Sequence, residues 1–257
     1  MCELFGVTSD HKVKLDKLLE IFFSHSVEHP NGWGLALFDD GNLSIEKEPV
    51  RAFGSQYLKS RLSGHIESSR MMAHIRRATV GDINFNNTHP FTGRDESGRT
   101  WTLIHNGTIF ESSELTRYQC FQKGTTDSER ILLYLIDRMN SLLRKGTDLS
   151  DVAPRIEVID DLIKTLSHNN KLNLLIFDGE YFYVHKNEKG TLFRLEHNGA
   201  TLLSTKPLTR EGWEEIPQNR LLVYKDGSSV FEGDPHNNTY VMNEENMRTL
   251  FLGYSGL

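Results

Sequence analysis

The order of the segments that favour strands and helices is the feature that most constrains the fold of this chain. Segments with the composition and alternation of strands lie in both the first half and the last third of the sequence. Between them, apolar residues recur at spacings of three and four, which is typical of one helix face. Strands at both ends of a chain with helices between them predict an α+β architecture in which helices cover sheets.

Short sequence patterns place the individual elements. We expect strands at 33–38, 43–48, 71–78, 101–110, 172–177, 181–185, 191–196, 201–205, 220–224 and 229–231, and helices at 15–23, 56–62, 127–139 and 156–166. Asp178-Gly179 and Asp226-Gly227 are typical of hairpin turns. Either Thr126 or Asp127 is expected to cap the helix that begins there.

The sequence predicts one domain rather than several. It has 257 residues, which is enough to bury a core without disulfides or metals. The sequence shows no internal repeat, low-complexity tract or linker rich in proline and serine. We therefore expect a single domain over 1–257, without a synthase domain.

Charge and composition exclude several classes of function. There are 29 basic and 35 acidic residues with no long run of one sign, so neither nucleic acid nor anionic lipid is an expected partner. No stretch approaches the roughly 18 apolar residues of a membrane span, and the start shows no secretion signal, so we expect a cytoplasmic protein. The two cysteines are too few for a disulfide framework or a structural zinc site. The absence of a phosphate-cradling glycine motif predicts no nucleotide, and no other cofactor or metal is expected.

One of the two cysteines directly follows Met1. Removal of Met1 would leave Cys2 carrying both a thiol and a free α-amine. An α-amine has a pKa near 8 and a free thiol one near 8.5, so the amine accepts the thiol proton and later returns it to a leaving amine. The competing interpretation is a small apolar residue without a catalytic role.

Asn106 and Gly107 are candidates for stabilising a developing negative charge. They follow a predicted strand and offer a side-chain amide beside a backbone N–H that a substrate can approach closely. Acyl transfer needs such donors at the oxyanion. The alternative is an ordinary Asn-Gly turn.

Two charged segments are candidates for binding a substrate. Arg76 and Arg77 end a predicted strand and point to opposite faces, so one of them faces the site and suits a carboxylate. A surface charge pair is the alternative. Asp127 opens a predicted helix, where an acid either caps the helix or binds a substrate ammonium.

Six motifs occur in one particular order along the chain. They are Cys2-Glu3-Leu4-Phe5-Gly6, Asn31-Gly32-Trp33-Gly34, 74–81 (HIRRATVG), Thr88-His89-Pro90-Phe91, His105-Asn106-Gly107 and Thr126-Asp127-Ser128-Glu129. In this order they resemble the class II glutamine amidotransferases, whose nucleophile is N-terminal, and above all stand-alone bacterial members that begin Met-Cys-Glu-Leu. The second half resembles the family more loosely, through 172–179 and 205–223.

The resemblance implies a fold and a reaction. The fold is a four-layer αββα sandwich of the N-terminal-nucleophile hydrolase type. By the resemblance, Cys2 attacks the glutamine carboxamide, ammonia leaves, and water hydrolyses the γ-glutamyl thioester to glutamate. The Asn106 side chain and the Gly107 N–H take the role of the oxyanion hole.

The resemblance also assigns the donor-binding residues. Arg76, helped by Thr79, matches the residue that pairs with the α-carboxylate of the substrate, and Asp127 matches the acid that holds its α-ammonium. Many members carry tryptophan and histidine where this chain has Arg77 and Val80. These departures leave a γ-glutamyl peptide or conjugate open as the donor instead of free glutamine.

A third hypothesis belongs to another class of function. The chain would then be a non-catalytic subunit that binds amino acids or a synthase partner. In the enzymatic hypotheses the acceptor of the nitrogen lies on a synthase or acceptor-domain protein in trans, and an oligomer is possible.

Overall fold

Two antiparallel sheets form the centre of the protein. The computed structural model describes residues 2–39, 41–243 and 246. The strands within them are β1 (Glu3–Lys14), β2 (Trp33–Asp39), β3 (Asn42–Glu48), β4 (Glu67–Ile75), β5 (Phe91–Arg94), β6 (Thr100–His105), β7 (Leu174–Phe177), β8 (Phe182–His185), β9 (Phe193–His197), β10 (Ala200–Ser204), β11 (Glu214–Glu215), β12 (Leu222–Lys225) and β13 (Ser228–Glu232). The helices are α1 (Asp16–Ser24), α2 (Gln56–Leu62), α3 (Ser113–Thr116), α4 (Asp127–Arg144) and α5 (Val152–Leu166).

The chain alternates between the sheets rather than completing one before the other. The first sheet has the order β11-β9-β10-β1-β4-β2-β3, and the second has the order β13-β12-β8-β7-β6-β5. In the first sheet β1 is central, with β4 on one side and β10 on the other. In the second sheet β6 pairs with β7 and with the edge strand β5. Residues 2–9 therefore lie at the middle of the molecule.

Side-chain alternation on the strands creates three apolar layers. On β1, Phe5 packs outward in a cluster that includes Phe22 of α1, whereas Leu4 packs inward in a cluster that includes Leu175 of the second sheet. On the far face of the second sheet, residues such as Leu103 pack in the cluster that α4 and α5 contribute to. Helices, sheet, sheet and helices therefore stack in four layers, as the family resemblance predicts.

Most of the elements predicted from sequence are present. All four predicted helices are found, although α5 begins at Val152 rather than at 156. The Asp226-Gly227 turn joins β12 to β13, and 178–181 joins β7 to β8. Thr126 rather than Asp127 caps α4, because its hydroxyl accepts a hydrogen bond from the Glu129 N–H at 3.3 Å. The prediction of one domain extends past the described residues and stays a prediction.

The predicted strands 71–78 and 101–110 are too long. β4 ends at Ile75 and β6 at His105, so that 76–78 and 106–110 are loop segments. The backbone there leaves the regular ladder because its hydrogen bonds go elsewhere: the Ala78 N–H donates to the Asn31 side chain and the Ile109 N–H to Asp127. These two segments carry three of the six predicted site residues, Arg76, Asn106 and Gly107.

Candidate active site

Cys2 lies at the end of the central strand of the first sheet, directly before β1. Glu3 is opposite Ile75 of β4. Cys2, which precedes Glu3, and Arg76, which follows Ile75, therefore lie at the same end of these neighbouring strands. The Cys2 Sγ lies 3.5 Å from the Arg77 carbonyl oxygen, to which the thiol donates. On the other side, the Thr205 hydroxyl accepts from the Leu4 N–H at 2.9 Å. The partly buried thiol is thus fixed between two neighbouring segments.

Arg76 is buried and belongs to a tightly bonded loop. Its guanidinium donates to the carbonyl oxygens of Val80, Gly81 and Asp82, each at 2.9 Å. Its backbone is bonded to the Asn31-Gly32 segment in both directions, from the Arg76 N–H to Gly32 and from the Asn31 N–H to Arg76. The Asn-Gly-Trp-Gly motif therefore holds the arginine segment beside Cys2, whereas Arg77 is exposed.

Thr79 and Thr108 connect the arginine loop to the segment that carries Asn106 and Gly107. Their hydroxyl oxygens are 3.1 Å apart, so one donates to the other. Thr108 itself is fixed by backbone hydrogen bonds to Lys171 in both directions. Because these loops follow strands of different sheets, this contact joins the two halves of the predicted site across the sandwich.

Asn106 and Gly107 extend the end of β6. The Asn106 N–H donates to the Asn173 carbonyl, whereas the Asn106 Oδ1 is buried without a partner among the described residues. No hydrogen bond within the described residues uses the Gly107 N–H. A Cβ on Gly107 would lie 2.1 Å from the Lys171 carbonyl oxygen and 2.3 Å from His105 Nε2. Close packing, and not a left-handed turn, is therefore what requires glycine here.

Asp127 is buried at the first turn of α4. Its Oδ2 accepts from the Ile109 N–H at 2.8 Å and its Oδ1 from the Ser128 N–H at 2.8 Å. Thus both carboxylate oxygens are oriented by backbone donors, one of which belongs to the loop after Asn106. Asp127 is therefore not the helix cap; its carboxylate holds this loop against α4.

The charges of Arg76 and Asp127 both act on the thiol of Cys2. Burial raises the pKa of the Cys2 thiol, the positive charge of Arg76 lowers it, and the negative charge of Asp127 raises it. The charges of both substrate-binding candidates therefore act on the same sulfur. The structure brings together Cys2, Arg76, Thr79, Asn106, Gly107 and Asp127 at one end of the sandwich, while their catalytic and binding roles remain predictions.

Two charged clusters near Cys2 are absent from the sequence-based prediction. The buried Glu3 carboxylate, on the outer face of the first sheet, contacts Lys206 Nζ at 2.7 Å and His25 Nδ1 at 2.7 Å. Lys171 is also buried, and its ammonium pairs with Glu188. Burial lowers the pKa of Lys171, and Glu188 and Cys2 act in the opposite direction. In the sequence, the only signal for these charged residues is their position in or next to the motifs.

The described residues contain no group of three or more histidine, cysteine or acidic side chains that could hold a metal ion. Within the same residues, no helix is both long enough and apolar enough to cross a membrane.

Comparison with known proteins identifies the class to which this fold and site belong. The sequence model of the class-II glutamine amidotransferases matches residues 1–198. The protein YafJ of Escherichia coli is 30% identical over 261 residues, covering 90% of this chain and all of its own length. The fold is accordingly a four-layer sandwich of the N-terminal-nucleophile hydrolase type, and the chain belongs to the class-II glutamine amidotransferases.

Solved structures agree with this fold. A predicted glutamine amidotransferase from Pseudomonas aeruginosa has a TM-score of 0.59 at 20% identity, covering 90% of this chain and 100% of that one. The glutamine phosphoribosylpyrophosphate amidotransferase of Bacillus subtilis has a TM-score of 0.66 at 18% identity, covering 93% of this chain and 50% of its own. The match therefore spans about half of the latter enzyme.

Proposed function

We propose that the protein is a glutaminase that uses Cys2, after removal of Met1, as its nucleophile. The observation that carries the proposal is that Cys2, Asn106 and Gly107 lie at one end of the sandwich, where the loops after β4 and β6 meet through Thr79 and Thr108. Acyl transfer requires a nucleophile near N–H donors that are left for the oxyanion, and neither the Asn106 NH₂ nor the Gly107 N–H donates a hydrogen bond among the described residues.

The pKa of the thiol decides how the nucleophile is activated. Because burial raises the pKa of Cys2, the thiol is protonated at neutral pH and needs a base at the moment of attack. Its own α-amine has the appropriate pKa and is attached to the same residue. The carbon–sulfur bond forms, the amide carbon–nitrogen bond breaks, and the proton leaves with ammonia; water then cleaves the thioester to give glutamate and the free thiol.

Arg76 and Asp127 are proposed to bind the two ends of the amino-acid head. Arg76 offers a guanidinium to the α-carboxylate, with Thr79 as a neighbouring hydroxyl, and Asp127 offers a carboxylate to the α-ammonium. Both side chains are oriented by backbone hydrogen bonds in the structure, so little rotational entropy is lost when the substrate binds. The γ-carboxamide then points towards Cys2.

Release of glutamate and ammonia from glutamine tests this proposal. We expect turnover by protein whose intact mass shows loss of Met1, no turnover by Cys2→Ala, and a rate about 10²- to 10³-fold lower for Asn106→Ala. Cys120→Ala is the matched control because Cys120 is the exposed second cysteine, and its rate should equal that of the wild type. Full activity of protein that keeps Met1 would reject the amine as base.

A diazo-ketone analogue of glutamine tests the nucleophile separately. We expect it to label Cys2 and leave Cys120 unmodified. Failure to label Cys2 in protein without Met1 would instead favour a non-catalytic subunit that binds amino acids or a synthase.

A γ-glutamyl peptide or conjugate is the second candidate donor. Arg77 favours it, because this exposed cation replaces the tryptophan of many relatives and its carbonyl contacts the nucleophile. An exposed guanidinium on the residue that contacts the nucleophile suits a carboxylate on the leaving amine. Glutamate release from glutamine and from glutathione-like compounds should be compared in the wild type and in Arg77→Gln. A selective loss with the peptides would identify them as donors.

The acceptor of the ammonia is proposed to lie on another protein. The matched region is 50% of the Bacillus subtilis amidotransferase, so the proposed glutaminase unit corresponds to only part of that enzyme. A synthase or acceptor protein in trans would supply the second half-reaction.

A further inference from the structure

Several buried polar atoms of Asn106 and of two histidines have no hydrogen-bond partner among the described residues. They are His74 Nδ1, both ring nitrogens of His89, and Asn106 Oδ1. All three side chains are at most 3% exposed. Buried polar groups in folded proteins are nearly always bonded, either to protein or to ordered water. The three histidine nitrogens lie on two rings in contact, and such a cluster points to bound water.

The fold brings the two histidines together. His74 lies on β4 with its side chain in the interior, and its ring centroid is 4.0 Å from that of His89. His89 can approach because a glycine faces its backbone: a Cβ on Gly34 would lie 2.0 Å from the His89 carbonyl oxygen. The second glycine of the Asn-Gly-Trp-Gly motif and the Thr-His-Pro-Phe motif thus serve one contact, which the proposed chemistry leaves unexplained.

A hydrogen bond connects this pair to the oxyanion segment. His74 Nε2 lies 3.2 Å from the carbonyl oxygen of His105, the residue before Asn106. His105 turns its own side chain the other way, where its Nδ1 meets the Ser128 hydroxyl at 3.0 Å. Asn106 directly follows this carbonyl, so its buried Oδ1 belongs to the segment that His74 contacts.

The protonation states of the two rings determine which partners their nitrogens can bind. Because a carbonyl only accepts, His74 Nε2 carries the proton and its Nδ1 is an acceptor. Burial lowers the pKa of His74 to about 3 and holds that of His89 well below its ordinary range, so both rings are neutral. His89 therefore offers one donor, and Asn106 Oδ1 is an acceptor. A water molecule accepts from the first and donates to two acceptors.

We propose that a water molecule bound by His74 and His89 donates a hydrogen bond to Asn106 Oδ1, which makes the two histidines positioning residues for the oxyanion-binding amide. An asparagine amide presents either its oxygen or its NH₂ to the substrate, depending on a half-turn of the side chain. Water hydrogens at Oδ1 hold the NH₂ towards Cys2. This inference rests on the proposed function, since it gives Asn106 the oxyanion role.

A substitution pair at His89 separates positioning from packing. His89→Leu removes the donor, and we expect kcat to fall about 10-fold with KM within about 2-fold, a part of the 10²- to 10³-fold loss of the whole oxyanion donor. His89→Gln keeps a donor and an acceptor and should restore kcat to within about 2-fold. His185→Leu is a matched control, since it removes an equally buried imidazole bonded to Leu172 and His236, and its kcat should be unchanged.

A double-mutant cycle and a crystal structure complete the test. In the Asn106→Ala background, His89→Leu should cause no further loss, because residues that act through each other are not additive. A crystal structure of the wild type at high resolution should show water within hydrogen-bond distance of His74 Nδ1 and Asn106 Oδ1. An additive loss, or a site without water, overturns the proposal. If the wild type fails to hydrolyse any γ-glutamyl donor, the proposed function fails, whereas the crystal structure still decides whether the water is there.

Discussion

Replacing Gly107 by alanine tests both the packing and the proposed chemistry of the site. The new Cβ would lie 2.1 Å from the Lys171 carbonyl oxygen and 2.3 Å from His105 Nε2. Neither group yields easily, because the Lys171 carbonyl accepts the Thr108 N–H and His105 is bonded to Ser128. Relief of the overlap therefore requires the 106–108 segment to move by about 1 Å, which places strain on a well-packed region.

The displacement has two measurable consequences. Overpacking of this kind lowers the free energy of unfolding by about 1 to 3 kcal/mol. The same shift carries the Gly107 N–H away from the proposed oxyanion, and a misplacement of about 1 Å costs about 100-fold in rate. We therefore expect Gly107→Ala to remain folded at 25 °C with kcat for glutamine hydrolysis reduced about 100-fold.

Urea denaturation followed by far-UV circular dichroism, together with a glutamate-release assay, measures both effects. Gly54→Ala is the matched control, because no atom lies within 4 Å of a Cβ at that position. Its stability and kcat should equal those of the wild type. Wild-type stability and rate in Gly107→Ala would refute the reasoning, since the added carbon would then fit without moving the donor.

Two further predictions concern stability. Asp178→Ala removes the only fully buried carboxylate that pairs with the buried Arg155 among the described residues and leaves it the partly exposed Glu180 at 3.4 Å, so we expect a loss of about 3 to 5 kcal/mol in urea denaturation. Asp161→Ala, in an exposed pair, should cost less than about 1 kcal/mol, and similar losses would contradict this. Burial lowers the pKa of His74 and of His185 to about 3. As the pH falls below about 6.5, these histidines become protonated in the unfolded chain but not in the folded protein. Each should therefore lower the free energy of unfolding by about 1.4 kcal/mol per pH unit. Equal stability at pH 7 and pH 5 would disprove this.

Elements held by local interactions were predictable from sequence. The apolar stripe of α4 and the Asp-Gly turn at 226–227 depend on residues within a few positions of each other. The order of six motifs carried the family resemblance and, with it, the four-layer fold. Family membership is shown, and the site residues that the resemblance assigned lie at one end of the sandwich.

Elements that depend on distant pairing were missed. β1 was not predicted, because residues 3–9 are buried on both faces and show no alternation between apolar and polar side chains. The edge strand β5 contains glycine and polar residues, and β11 is only two residues long. Each is defined by its neighbour in the sheet and not by its own composition.

The sequence by itself determined which chemical groups are available: a cysteine behind Met1, an Asn-Gly pair, an arginine loop and an acid at a helix start. The tertiary structure alone decided that Gly107 is required by the approach of Lys171, and that the rings of His74 and His89 are in contact. It also decided that burial raises the pKa of the Cys2 thiol. The physical reason is that residue types and local spacing fix chemistry and helices, whereas burial, close approach and the absence of hydrogen-bond partners arise only when strands distant in sequence pack together.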